Sequence, residues 1–341
     1  MTANVEFQHA IARVVRHHCF TEFRSCPLGL VDVGARWGVS DIFYPFAELI
    51  DVLAFEPEAE EATKTKTKLQ QDGWLHARVL PIALAASIGE VTLRLLRHPN
   101  NNSIYPVREE SYQRYQLTGF ELDKSLVVPT TTLDHIVFGA EGANHQWGEI
   151  IKIDAQGSEL EILHGAERCL REHTTALLCE ISFFSPYKGP PLFSEIDLFL
   201  RERGYVFYGF HDIEHRSTKR LNKSEGWGRE RYMQADALFL RDPFELAVPQ
   251  PNIDDRAYKI LFLVAVMFRY YDFALELAAN DLAPPALGML ANDVRALARV
   301  DVNRLRDVLA SASRSQNPLV SFAKLVDQYR DFSSFNDIPE G

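Results

Sequence analysis

The sequence of 341 residues is poor in cysteine, and its few cysteines follow no recognisable spacing. They form no Cys-x-x-Cys pair and have no histidine at zinc-ligand spacing. The four are Cys19, Cys26, Cys169 and Cys179. This usage argues against a disulfide framework and favours a reducing, cytoplasmic setting. The first residues also lack the charged, apolar and small-residue order of a secretory signal, which favours the same compartment.

Basic charge and long apolar runs are scarce as well. The chain has 36 Lys and Arg against 47 Asp and Glu, a formal net charge of −11. This balance argues against a broad nucleic-acid surface and favours a small molecule or a neutral glycan as partner. The one membrane-like run, residues 260–268, lies between Lys259 and Arg269 and is far too short to span a bilayer. We therefore predict a buried helix there and no membrane span.

What the sequence does contain is an alternation of strand-like apolar runs with helical stretches, the signature of a parallel α/β sheet. The predicted strands are Gly29–Val33, Val52–Phe55, Arg78–Ala83, Val91–Leu96, Ile150–Ile153, Ala176–Ile181, Val206–Phe210 and Ala235–Leu240. We predict an N-terminal helical lead (1–28), an α/β domain (29–247) and a C-terminal helical domain (252–341). The helical pattern of the last part favours packing or homo-oligomerisation over substrate gating.

One turn narrows the choice of ligand. The run Leu30–Gly38 predicts a buried strand entering a glycine-containing turn, and the next predicted strand ends in Glu56. A dinucleotide-binding fingerprint has a second glycine at the position of Arg36. The arginine side chain here would keep the backbone from approaching a pyrophosphate. A cofactor without phosphates, such as S-adenosylmethionine, fits better. Glu56 offers two acceptor oxygens for the two hydroxyls of a ribose.

A second turn follows the strand that ends in Asp154. In open parallel sheets ligands bind outside the carboxyl ends of the strands, so carboxylates at corresponding strand ends should meet at one rim. Four such acids are Asp32, Glu56, Asp154 and Glu180. Each could alone be a helix cap, and Asp154 in particular has the residue type of an N-cap.

Several ordered blocks make the sequence resemble the FkbM family of S-adenosylmethionine-dependent methyltransferases over roughly 29–244. The blocks are Val31–Ala35 with Gly38, Phe55–Pro57, Thr132–Asp134, Ile151–Asp154 with Gly157 and Glu159, and Leu163–Ala166, with Glu180 in the same series. The resemblance implies a class I, Rossmann-like methyltransferase: a seven-stranded, mainly parallel sheet with helices on both faces. The C-terminal helices lie outside it as an appendage.

The resemblance also implies a cofactor pocket. Asp32, Gly34 and Gly38 would shape its methionine side, Glu56 would hold the ribose, and Ala83 would lie near the adenine. We expect Ala35, Arg36 and Pro57 to belong to the same pocket.

Methyl transfer to a hydroxyl needs a group that removes or orients a proton. Asp154 is the first candidate, and His211 is the alternative base because imidazole titrates near neutrality. The acceptor would contact Glu180, Tyr187 in an aromatic and proline-rich loop, and Asn101 and Ser103 in a polar loop. The two loops could equally be a rigid connection and a solvent loop. A divalent cation that acidifies the hydroxyl is an alternative that no ligand spacing supports.

The sequence thus favours an S-adenosylmethionine-dependent O-methyltransferase acting on a sugar, glycan or natural-product hydroxyl. A non-catalytic module that binds S-adenosylmethionine and assembles through its C-terminal helices is the alternative. A nicotinamide-dependent dehydrogenase is a third reading, which Arg36 disfavours.

Overall fold

The computed structural model describes residues 3–74, 76–221, 228–245 and 253–313. The strands are β1 (Leu28–Val33), β2 (Ile50–Phe55), β3 (Ala77–Leu80), β4 (Ala83–Leu84), β5 (Gly89–Leu96), β6 (Leu122–Thr131), β7 (Trp147–Ile153), β8 (Ala176–Ser182), β9 (Val206–Arg216) and β10 (Arg231–Leu240). The α-helices are α1 (Ala3–Val15), α2 (Glu22–Ser25), α3 (Ala59–Gln71), α4 (Glu109–Tyr115), α5 (Leu133–Val137), α6 (Glu159–His164), α7 (Glu167–Glu172), α8 (Phe193–Arg201), α9 (Asp255–Met267), α10 (Tyr271–Ala279), α11 (Pro285–Gly288) and α12 (Ala291–Ser313). Short 3-10 helices cover His18–Phe20, Asp41–Leu49 and Pro99–Asn101.

Seven strands form the central sheet in the order β3-β2-β1-β7-β8-β10-β9. Neighbouring strands from β3 to β8 pair in parallel, whereas β10 pairs antiparallel with both β8 and β9. The predicted seven-stranded, mainly parallel sheet with helices on both faces is confirmed. Strands β1, β2 and β7 are apolar almost throughout, because helices cover both of their faces.

A second, three-stranded sheet has the order β4-β6-β5. The predicted single strand Arg78–Ala83 is divided, so that β3 joins the central sheet and β4 joins this second one. Strand β6 was not predicted, because residues 122–127 are all exposed and give no alternation of buried and exposed positions. The second sheet therefore accounts for much of the long connection between β3 and β7.

The C-terminal helices pack on the central sheet. Residues 260–266 of α9 are all buried, and the Phe262 ring lies 6.1 Å from that of Phe20. One hydrophobic cluster joins this helix to Leu178 and Leu238 of the sheet. The described helices from Asp255 onwards therefore share one core with the sheet. The predicted boundary at 248–252 and the end of the predicted C-terminal domain, 314–341, lie outside the described residues. Assembly through these helices stays a prediction. None of the helices in the described ranges is both long and apolar enough to cross a membrane.

A buried ion pair ties α9 to the sheet. The Arg256 Nη2 atom lies 2.9 Å from Oε2 of Glu149, which also accepts a hydrogen bond from the Gly29 amide at 2.9 Å. Arg256 donates in addition to the Pro27 carbonyl at 3.0 Å. Glu149 is only 5% exposed, so its charge depends on these partners.

We expect Arg256→Ala to lower the free energy of unfolding by about 3 kcal/mol, because it leaves the Glu149 carboxylate buried without its partner. The control is Arg16→Ala, whose pair with Glu48 is largely exposed and should change stability by no more than about 0.5 kcal/mol. Urea denaturation of both variants makes the comparison. Equal losses in the two would contradict the assignment.

Candidate active site

A cleft of about 840 Å³ lies at the carboxyl edge of the parallel strands. Its floor comes from the central sheet and its walls from the second sheet, from residues 98–104 and 115–120, and from the outer half of the β9–β10 hairpin. The predicted site residues that line it are Gly34, Arg36, Glu56, Pro57, Ala83, Asn101, Asp154 and Glu180. Predicted site residues from six segments of the sequence therefore face one cavity.

The glycine turn after β1 is set by a close backbone approach. Gly34 has φ +81°, and a Cβ atom there would lie 1.9 Å from the carbonyl oxygen of Asp154. The amide of Asp154 in turn donates to the Val33 carbonyl at 3.0 Å. Glycine is required because both the left-handed backbone and the contact exclude a side chain.

A buried lysine joins the ends of β1 and β7. The Lys152 Nζ atom lies 3.6 Å from Oδ1 of Asp32 and 3.5 Å from Oδ2 of Asp154. Burial raises the pKa of Asp32 to about 6, against the opposing effect of Lys152. Burial alone would lower the pKa of Lys152, but the surrounding carboxylates, Asp154 first, raise it above its usual range. Lys152 is therefore charged and neutralises part of the acidic site. Asp32 itself lies beneath the cleft, 1% exposed.

Gln156 connects the two acids at the ends of β7 and β8. Its Nε2 atom donates to Oδ1 of Asp154 at 3.1 Å and to Oε2 of Glu180 at 2.8 Å. The other Glu180 oxygen accepts from Gln234 Nε2 at 3.0 Å. Burial raises the pKa of Glu180 well above its usual range, and the charge of Asp154 adds to the effect. The turn that carries Gln156 is closed by Glu159, whose Oε1 accepts from the Gly157 amide at 3.0 Å.

Asp236 also lines the cleft, although it is not one of the four acids predicted at the rim. It lies opposite Glu180 in the pairing of β10 with β8. Burial raises its pKa to about 7, and the nearby charge of Asp154 acts in the same direction. Since β10 runs against the other strands, the rule about carboxyl ends does not point to this residue.

On the predicted cofactor side, Glu56 faces the cleft and is 4% exposed. Its Oε1 atom accepts from the Glu58 amide at 2.9 Å, and burial raises its pKa. The Arg36 guanidinium donates to Glu58 Oε1 at 2.9 Å and lies 3.7 Å from Glu61. Arg36 is therefore held by acids of the chain itself.

Two further residues of the predicted cofactor set lie outside the cleft lining. Ala35 is 1% exposed, and its amide donates to the Phe55 carbonyl at 3.2 Å. Gly38 has φ +95°, and a Cβ atom there would lie 3.4 Å from Cδ of Lys68 on α3. Both shape the turn rather than the surface of the cavity.

Some of the predicted acceptor residues line the cleft, and others are buried behind its wall. Asn101 lines the cleft, with Nδ2 donating to the Gly119 carbonyl at 3.2 Å. Ser103 and Tyr187 are buried behind the wall: Ser103 Oγ donates to the Gln156 carbonyl at 2.7 Å and Tyr187 Oη to the Asn101 carbonyl at 2.7 Å. These bonds fix the wall to the turn after β7.

His211 is paired with Asp236 across β9 and β10 but does not line the cleft. Its ring packs edge-on against Phe268 at 4.8 Å, at the end of α9. The structure therefore places the alternative base next to the C-terminal helices. Across residues 3–74, 76–221, 228–245 and 253–313, no group of three or more His, Cys, Asp or Glu side chains is arranged to hold a metal ion.

The Methyltransferase FkbM domain model matches residues 32–207 of the sequence, which is more than half of the chain. The chain belongs to the FkbM methyltransferase family. No curated protein matches its sequence. The matched range holds Gly34, Glu56, Asp154 and Glu180, whereas Asp236 lies beyond it.

Solved methyltransferases with related structures are distant in sequence. Methyltransferase FkbM from Methylobacillus flagellatus KT is 15% identical with a TM-score of 0.35, over 63% of this chain and 43% of that one. Magnesium protoporphyrin IX methyltransferase from Synechocystis PCC 6803, solved with bound S-adenosylmethionine, is 11% identical with a TM-score of 0.32, over 70% and 81%. TrmK from M. capricolum, in complex with S-adenosylhomocysteine, is 7% identical with a TM-score of 0.32, over 84% and 97%. The chain thus spans less than half the length of the Methylobacillus protein.

The contact beneath the glycine turn of this FkbM-family chain can be tested with a matched pair of glycines. Gly73 has φ +84°, close to that of Gly34, but a Cβ atom there would meet nothing within 4 Å. We expect Gly73→Ala to cost about 1–2 kcal/mol of stability through its left-handed backbone alone. Gly34→Ala should cost clearly more, because its Cβ would overlap the Asp154 carbonyl. Chemical denaturation of both variants gives the difference, and equal costs would contradict the contact.

Proposed function

We propose that this FkbM-family protein transfers a methyl group from S-adenosylmethionine to a hydroxyl oxygen of a sugar, glycan or natural-product-like acceptor. The observation that carries the proposal is the carboxylate-rich cleft, in which Glu56, Asp154, Glu180 and Asp236 face one cavity. Only one buried ammonium, that of Lys152, lies among these acids in the described part of the chain. Such a cavity favours a cationic ligand, and S-adenosylmethionine carries both a sulfonium and an ammonium group.

The residues on one side of the cleft suit the nucleoside part of that cofactor. Glu56 is placed to accept hydrogen bonds from ribose hydroxyls, and Pro57 and Ala83 add apolar surface beside it. Arg36, in contrast, is paired with Glu58 and Glu61 and offers no free guanidinium to a pyrophosphate. This arrangement supports S-adenosylmethionine over a nicotinamide dinucleotide.

S-adenosylmethionine supplies an electrophilic methyl group, so the protein has to orient the acceptor oxygen and receive its proton. Asp154 is held in place by Lys152 and Gln156, and we assign it the orientation of the acceptor hydroxyl.

The acceptor side of the cleft contains Tyr115 and Phe120 among polar groups, a combination that suits a sugar ring. The choice of oxygen over nitrogen rests on the family resemblance. The four free thiols support a reducing, cytoplasmic setting.

Calorimetric titration tests the cofactor directly. We expect S-adenosylmethionine and S-adenosylhomocysteine to bind and NAD not to bind. Glu56→Ala should weaken the binding of both sulfur compounds by about 1.5–3 kcal/mol, the range for hydrogen bonds to a charged group. Glu60→Ala, at an exposed position of α3, is the control and should leave their affinity unchanged. Binding of NAD in place of the sulfur compounds would refute the proposal.

A screen of sugar and natural-product alcohols, read out by release of S-adenosylhomocysteine, tests the transfer itself. With an acceptor that reacts, Asp154→Asn should lower kcat about 100-fold and change the dissociation constant of S-adenosylmethionine little, because Asp154 acts on the acceptor. Glu60→Ala again serves as the control. Cofactor binding without turnover across the whole panel would instead favour a non-catalytic module.

A further inference from the structure

Three carboxylates form a row across adjacent strands at the floor of the cleft. Ile153 of β7 pairs with Cys179 of β8, which brings Asp154 and Glu180 to the same level. Glu180 is in turn paired with Asp236 of β10. Side chains at paired positions of neighbouring strands lie on the same face of a sheet, so the three acids are neighbours.

The three acids differ in what already binds them. Asp154 accepts hydrogen bonds from Lys152 and Gln156, and both Glu180 oxygens accept from glutamine amides. Among the residues that the structure describes, no group donates a hydrogen bond to the Asp236 carboxylate, although it faces the cleft. Asp236 is therefore the member of the row that is available to a ligand.

Burial and the neighbouring acids keep the proton affinity of Asp236 high. The titratable and charged groups around it are Asp154, Lys152, Asp212 and Asp32, with Glu180 of β8 and His211 of β9 beside it in register. Burial and these acids together raise its pKa to about 7, with Lys152 acting in the opposite direction. A cationic ligand in the same cavity would favour the ionised carboxylate and lower that pKa.

We propose that Asp236 is the proton acceptor for the attacking hydroxyl, and that binding of the cationic methyl donor is what ionises it. This inference rests on the proposed methyl transfer. The acceptor oxygen forms a bond to the methyl carbon as the bond from that carbon to sulfur breaks, and the electron pair passes to sulfur. The hydroxyl proton moves to an Asp236 carboxylate oxygen. The products are a methyl ether, S-adenosylhomocysteine, whose sulfur is neutral, and protonated Asp236.

The proposal predicts a proton count that needs no acceptor. At pH 7 we expect binding of S-adenosylmethionine to release about half a proton, since a group with a pKa near 7 is then half protonated. S-adenosylhomocysteine has the same ammonium group but no sulfonium, and should release markedly less. The affinity for S-adenosylmethionine should rise about five- to tenfold from pH 6 to pH 8, as linkage requires when a pKa falls from about 7 to about 5 or 6. Calorimetry in two buffers with different ionisation enthalpies measures the released protons.

The Asp236→Asn variant tests whether the released proton comes from Asp236. We expect it to abolish the difference in proton release between the two ligands and to keep the affinity for S-adenosylhomocysteine, which also shows that the variant folds with an intact pocket. The exposed Asp123→Asn on β6 is the matched control and should retain the difference. A difference in proton release that persists in Asp236→Asn, or equal loss of affinity for both ligands, would overturn the inference.

These measurements distinguish a failure of the proposed methyl transfer from a failure of the role assigned to Asp236. Failure of S-adenosylmethionine to bind the unmodified protein would overturn the proposed function. Binding without proton release would overturn the role of Asp236 alone. With an acceptor found in the screen, Asp236→Asn should also lower kcat at least 100-fold, and undiminished turnover would contradict its role as proton acceptor.

Discussion

The ion pairs of Lys152 with Asp32 and Asp154 are the interaction on which the site depends. They place an ammonium group beneath the cleft, 3.6 Å and 3.5 Å from the two carboxylates, at the point where β1 and β7 end. Buried acids without a cation would be costly, and they would take up protons instead. With Lys152 in place, Asp32 can stay buried under the glycine turn while Asp154 remains at the surface of the cavity. Removing this one charge would alter every carboxylate of the row.

The wall of the cleft is linked to the same acids through Gln156. Its side chain joins Asp154 to Glu180, and its backbone carbonyl accepts from Ser103 at the base of the polar loop. Tyr187 closes the connection by donating to the carbonyl of Asn101. A shift of the loop would therefore reach the carboxylates through a short chain of hydrogen bonds. Acceptor recognition and the chemistry of the floor are physically coupled in this arrangement.

The strands of the central sheet could be predicted, and so could three of the four rim acids. Parallel strands present their carboxyl ends at one edge, and Glu56, Asp154 and Glu180 all line the cleft there. Asp236 was not predicted by this rule, because β10 runs antiparallel to the other strands. The exposed residues of β6 carried no strand pattern, so the second sheet was missed. For His211 the sequence indicated a titratable group near a strand but could not show that its ring packs against Phe268, which comes from a helix far along the chain.

The charge of the cleft changes with what it contains. Four acids, Asp32, Asp154, Glu180 and Asp236, surround Lys152, and burial raises the pKa of three of them. A cavity of this kind approaches neutrality either by holding protons or by holding a cation, and the two compete for the same carboxylates. S-adenosylmethionine carries a positive sulfur before methyl transfer, and its product is neutral at sulfur. The cleft would therefore hold a cation before the transfer and an additional proton after it. The acidic row then favours the methyl donor over its product, and the bound donor in turn favours the ionised form of the proton acceptor.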